Sequence, residues 1–183
     1  MSTTSPHHKG VLDSSTIVSV ENDSTDQKYV KKMVIKPTAL DVTWGNDTRY
    51  WNIDKSRGTI LLHQVSWLEV SGAFDKSALD MVNAKLDYSK TYSLKFKVKM
   101  KADAFGWNGC PVYLMVKDDD TRKFKWKKVD LSRPTAGIDV YIPDDKHSFK
   151  PPSDKLTFGL FEIWRGRWKG GLEISEVIIE RDQ

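Results

Sequence analysis

Between Tyr92 and Lys101 the chain alternates without a fault: Tyr, Leu, Phe, Val and Met at one parity, Ser and four Lys at the other. Side chains of a strand point to opposite faces in turn, so one face of this segment packs on a core and the other meets water. A helix would scatter the same apolar residues around its axis. The rest of the chain conforms. Leu40–Trp44, Gln64–Gly72, Val112–Val116, Lys123–Leu131, Gly137–Ile142, Lys155–Ile163 and Gly171–Glu180 all read as strands bounded by Gly, Pro, Asn or Asp. Ser77–Leu86 is the one helical candidate. Many short strands and almost no helix predict an all-β fold, an antiparallel, jelly-roll-like β-sandwich with at most one short helix. No internal repeat points to a propeller or solenoid.

The 183 residues suffice for one domain with a sizeable core. Residues 1–28, rich in Ser, Thr, Asp and His, are expected to form a flexible tail or arm, with VLDSSTIVSVE as a short strand within it, and 29–183 the single domain. The lone cysteine, Cys110, excludes an intrachain disulfide and a Cys-rich zinc site, and reads as a small apolar residue. No apolar run suggests a signal peptide or a membrane span, which gives the expectation of a cytoplasmic protein whose sequons at Asn22 and Asn46 stay unmodified.

Little in the sequence suggests catalysis. It has no Gly-rich phosphate loop, nucleophile elbow or His-Glu-x-x-His metal motif, so no enzyme activity, metal or cofactor is expected. Asp118-Asp119-Asp120 lacks the spacing of a calcium loop and reads as a solvated turn. Lys95, Lys97, Lys99 and Lys101 line one strand face, and Lys123, Lys125, Lys127 and Lys128 surround Trp126. Such rows either hold a phosphate backbone, as in RNA, or simply solvate a sheet. The seven Trp are more telling. Trp67, inside an apolar strand, reads as core. Trp44 and Trp51 bracket the polar turn Gly45-Asn46-Asp47-Thr48, and Trp164 and Trp168 flank Arg165, Gly166 and Arg167. Indoles in polar loops can present a flat surface to the C–H face of a sugar, or can plug a core.

Three blocks carry a resemblance. Val42-Thr43-Trp44 followed by Tyr50-Trp51, then Trp67-Leu68-Glu69-Val70-Ser71-Gly72, then Glu162-Ile163 with Trp168-Lys169-Gly170-Gly171-Leu172 resemble, in order, the motifs of the phloem protein two (Nictaba-like) lectins. The likeness runs from about Leu40 to Glu180. It implies a β-sandwich without catalysis that binds N-acetylglucosamine oligomers, meaning chitooligosaccharides and N-acetylglucosamine-containing glycoproteins. It also implies a homodimer, an association of phloem members with RNA, and residence in the phloem cytosol. The family's two site tryptophans map to Trp44 and Trp51, and a site carboxylate maps to Glu162. A second family carboxylate, seven residues earlier, maps to Lys155, with Asp154 beside it. Either Asp154 replaces it or Lys155 donates instead. The expected site is therefore Trp44, Gly45, Asn46, Asp47, Trp51, Asp154, Lys155, Glu162 and Trp168. The alternative, an RNA carrier, would use Lys95, Lys97, Lys99, Lys125 and Lys127. A sugar-independent, self-associating structural protein is a further alternative.

Overall fold

A computed structural model of the chain describes residues 4–183. Its strands are β1 (Ile17–Asn22), β2 (Val30–Ile35), β3 (Asp41–Val42), β4 (Trp51–Asp54), β5 (Thr59–Leu62), β6 (Leu68–Asp75), β7 (Tyr92–Phe105), β8 (Val112–Asp118), β9 (Lys123–Val129), β10 (Asp139–Ile142), β11 (Ser148–Phe149), β12 (Lys155–Glu162) and β13 (Gly170–Arg181). The helix α1 (Lys76–Met81) is shorter than the sequence pattern suggests, and Asp75 caps it by accepting from the Ala78 amide at 2.8 Å. No helix among the described residues is long and apolar enough to cross a membrane.

Two antiparallel sheets pack face to face, as the alternation predicts. One runs β3-β6-β12-β8-β9. The other runs β1-β2-β13-β5-β4, with β7 on β13 and β10 and β11 on β7. Between them lie Leu94, Phe96 and Val98 of β7, Leu156, Phe158 and Leu160 of β12, and Leu172, Ile174, Val177 and Ile179 of β13, all buried. The inward residues of β13 change parity between Ile174 and Val177. A register shift against β7 between Ile174 and Glu176 absorbs the extra residue, so both halves of the strand still face the core.

Residues 4–28 form a packed arm, and the short strand expected in VLDSSTIVSVE is present there as β1. β1 pairs with β2, Leu12 and Asp23 are buried, and His8 exchanges backbone hydrogen bonds of 3.0 Å with Val42 in both directions. Its polar composition conceals this because the packing uses main-chain groups, one buried apolar anchor, Leu12, and the half-buried Ile17 and Val20. Asp118 also departs from the solvated turn. It is buried, accepts from the Lys150 and Thr121 amides at 2.8 and 3.1 Å, and lies 3.4 Å from Lys125.

Candidate functional site

The inward parity of β12 sets the chemistry at one end of the sandwich. Leu156, Phe158 and Leu160 face the core, so Glu162, two residues on, must face it too. A buried carboxylate needs a partner. Lys169, just before β13, supplies it: Nζ lies 2.8 Å from Glu162 Oε2, and neither side chain is exposed. The pair is a close charge contact rather than an aligned hydrogen bond. Lys169 Nζ donates instead to the carbonyls of Ser66 (3.0 Å) and Arg167 (2.9 Å), while Glu162 Oε1 accepts from the Arg165 amide at 3.2 Å. Burial pushes the Glu162 carboxyl up, but Lys169 and the Arg165 amide outweigh it and hold the group below its usual 4.5. The pair thus ties both ends of the loop 163–168 and the segment before β6. Cys110 is buried beside it, and burial pushes its thiol up, so it is no exposed handle for self-association.

Two aromatic hollows flank this pair. The first, about 150 Å³, is lined by Trp44, Tyr50, Val65, Ser66, Trp67 and Trp168. Trp44, Trp67 and Trp168 are 40%, 44% and 51% exposed. Tyr50 meets Trp44 edge-on at 6.0 Å and stacks near Trp168 at 6.4 Å. Trp67 Nε1 donates to Glu69 at 2.7 Å, which fixes its ring. The second hollow, about 350 Å³, is lined by Tyr113, Trp126, Glu162, Trp164 and Arg165.

Trp44 sits at a backbone φ of 63°, a left-handed conformation uncommon for a large side chain. The N-terminal arm holds it there. His7 Nδ1 accepts from the Trp44 amide at 3.0 Å, and the two rings lie 5.1 Å apart. Asn46 Nδ2 donates to the carbonyls of Ser5 and His7 at 3.0 and 2.9 Å, and its amide donates to Pro6 at 3.0 Å. Gly45 has to be glycine: a Cβ there would stand 2.6 Å from that of His8. His7→Ala is expected to accelerate hydrogen exchange of the Trp44 amide about fivefold, the worth of one net hydrogen bond. Amide-resolved exchange measurements check this, and unchanged exchange would mean that the turn holds itself.

The expected site residues therefore separate. Trp44 and Trp168 share the first hollow. Gly45 and Asn46 serve the turn and the arm. Asp47 is engaged by Arg49 at 2.6 Å, whose hydrogen bonds hold its carboxyl low. Trp51 is a correction: it is 1% exposed, a core residue, and cannot wall a pocket. Trp67, read as core, lines the hollow in its place. The two exchange roles because Trp51 begins β4 on its inward face, whereas Trp67 precedes β6 and escapes its alternation. Glu162 is a second correction: it lies outside the Trp44 hollow, beneath the floor of the second one, and with no exposed surface it pairs with Lys169 instead of accepting from a ligand. Asp154 and Lys155 are a third. Lys155 begins β12 and Glu162 ends it, about 23 Å apart at 3.3 Å per residue, and Asp154 lies one residue farther still.

The lysine rows do not assemble either. Lys95, Lys97 and Lys99 lie on β7 in one sheet, Lys125 and Lys127 on β9 in the other. Lys97 lies 3.9 Å from Glu176, Lys99 3.5 Å from Asp139, and Lys127 pairs with Asp145. Among the described residues no His, Cys, Asp and Glu cluster could hold a metal ion.

Comparison with known proteins places this architecture. The Podospora anserina GH26-CBM35 β-(1,4)-mannanase shares the fold over 84% of this chain and 28% of its own, with a TM-score of 0.50 and 8% identity. Protein PHLOEM PROTEIN 2-LIKE A9 of Arabidopsis thaliana is 35% identical over 96% of both chains. Protein PHLOEM PROTEIN 2-LIKE A1 of the same plant is 29% identical over 79% of this chain and 59% of its own. The Phloem protein 2 family model matches residues 30–181. On the strength of that match and of the A9 relative, the chain belongs to the Phloem protein 2 family.

Proposed function

We propose that this protein is a carbohydrate-binding, lectin-like member of its family that takes N-acetylglucosamine oligomers in the hollow of Trp44, Tyr50, Trp67 and Trp168. One observation carries the reading: three half-exposed indoles and a tyrosine, brought from separate segments of the chain, converge on a single hollow. Leaving this much aromatic surface in water is unfavourable unless something covers it. A pyranose ring is suited to do so, with a C–H face for the indoles and hydroxyls for the polar groups. Ser66 in the lining and Glu69, held on the Trp67 indole, offer those groups. The shallow hollow fits weak binding of one sugar, about millimolar to tens of micromolar, raised by longer ligands.

The RNA alternative needs a continuous cationic groove, and its lysines are divided between two sheets, with Lys97, Lys99, Lys125 and Lys127 each beside a carboxylate. Calorimetric titration with chitotriose tests the sugar reading. Trp44→Ala and Trp168→Ala should each weaken binding about tenfold, the scale of one lost aromatic contact of about 1.5 kcal/mol. Undiminished binding in both variants would refute the assignment.

A further inference from the structure

We propose that the second hollow, bounded by Tyr113, Trp126, Trp164 and Arg165, is an extension subsite for the distal units of a saccharide chain whose first unit lies against Trp44. The inference rests on the carbohydrate reading and adds a second, separate set of contacts to it.

The second hollow is a built cleft. Trp164 stands nearly perpendicular to Tyr113 (5.3 Å, 84°) and to Trp126 (5.8 Å, 73°), so the rings form walls instead of a flat patch. Trp126 is braced on its other edge by the buried Phe161 ring at 5.8 Å. Gly159 leaves room for that ring, since a Cβ there would stand 2.9 Å from Phe161 Cζ. Arg165 is fixed at the rim by Nη1 donating to the Gly109 carbonyl at 2.8 Å, and among the described residues its remaining guanidinium donors meet no acceptor, which leaves them for hydroxyls. Trp126 and Trp164 are nonetheless half-exposed, although a sheet's outer face is ordinarily polar.

Continuity with the first hollow selects the occupant. Leu68 and Glu162 are paired across β6 and β12, so Trp67 before the one and Arg165 after the other flank the same strand pair. Glu69, bonded to Trp67, stands opposite Phe161, which carries Trp126. Trp67 and Glu69 on the one side of this strand pair and Phe161, Trp126 and Trp164 on the other therefore form a track between the two hollows. Neighbouring strands lie about 4.8 Å apart, so the track is longer than one sugar ring and follows the outer face of the five-stranded sheet. A linear saccharide matches this shape: each unit repeats a C–H face and a set of hydroxyls. The loop 163–168 places Trp164 in one hollow and Trp168 in the other, so a single ligand would touch both ends of it.

The test is calorimetric titration of the full chain with chitobiose and with chitohexaose. The wild type should bind the hexamer at least tenfold more tightly, with one ligand per chain. Trp126→Ala and Trp164→Ala should each remove most of that gain and leave the dimer's affinity unchanged. A wild-type gain that survives in both variants overturns the subsite. So does a gain that comes with one ligand per two chains and disappears along with self-association in sedimentation, which would make this cleft a contact between copies. Failure of the wild type to bind either saccharide overturns the carbohydrate reading itself, whereas binding of both with equal affinity overturns only the extension. Circular dichroism and the thermal midpoint show that each variant is folded, as expected for side chains half in solvent.

Discussion

Replacing Lys169 by Met should lower stability by about 3–5 kcal/mol, because it leaves the Glu162 carboxylate buried without its counter-charge. The loss should depend on pH in a defined direction. In the native protein the Glu162 carboxyl is held below its usual 4.5. Its ionisation therefore favours the folded state, fully so above the usual value, and this contribution is lost as pH falls through the depressed one. In Lys169→Met burial, the largest single influence on the group, raises it and is opposed only by the hydrogen bonds from the Arg165 amide and Cys110. The variant then binds a proton more readily when folded, and so gains stability as pH falls. The gap between the two proteins should shrink steadily from neutral pH into the acid range. Urea unfolding at a series of pH values measures this, and a gap independent of pH would mean that Glu162 does not sense Lys169. Replacing both partners by apolar residues, as in Glu162→Leu with Lys169→Met, should recover much of the loss. Sugar binding should still suffer, because Lys169 Nζ also holds the carbonyls of Ser66 and Arg167.

Trp51→Ala should cost about 3–5 kcal/mol through the cavity it opens in the core. Trp51→Phe should cost much less. It retains most of the ring and removes a buried indole N–H that has no partner among the described residues. The phenylalanine variant should bind chitotriose as the wild type does, while Trp44→Ala should not. Chemical denaturation paired with calorimetry separates the two roles. A Trp51→Phe variant that kept its stability and lost its ligand would return Trp51 to the site.

These two residues show how far the site can be read from the chain. Trp44 and Trp51 look equivalent in sequence, two indoles bracketing a polar turn. Sequence spacing says nothing of the direction in which each side chain leaves the backbone. The turn at Trp44 reverses the chain in a left-handed conformation and projects the ring outward, whereas Trp51 already follows the inward parity of β4. Trp67 misleads in the opposite sense, because the alternation that would bury it begins only at Leu68. The family resemblance maps a second site carboxylate to Lys155 with Asp154 beside it, yet seven residues of extended chain separate Lys155 from Glu162 by most of a sandwich's height, so the two cannot meet.

Local rules determined much of this protein from the sequence alone. The strict alternation in Tyr92–Lys101, the near-absence of helical patterning and the Gly- and Pro-bounded runs require a two-layer antiparallel fold, since strand periodicity is a property of the backbone and needs no partner to be read. The tryptophan surplus and the three ordered blocks pointed to the family. Tertiary structure alone decided which tryptophans are surface and which are core, that Glu162 is half of a buried ion pair, and that the polar N-terminal segment holds the Trp44 turn. Each of these depends on contacts between residues far apart in the chain, such as His7 with Trp44 and Ser66 with Lys169. Such contacts leave no period in the sequence, because their energy comes from desolvation and charge pairing that exist only once the two sheets have closed.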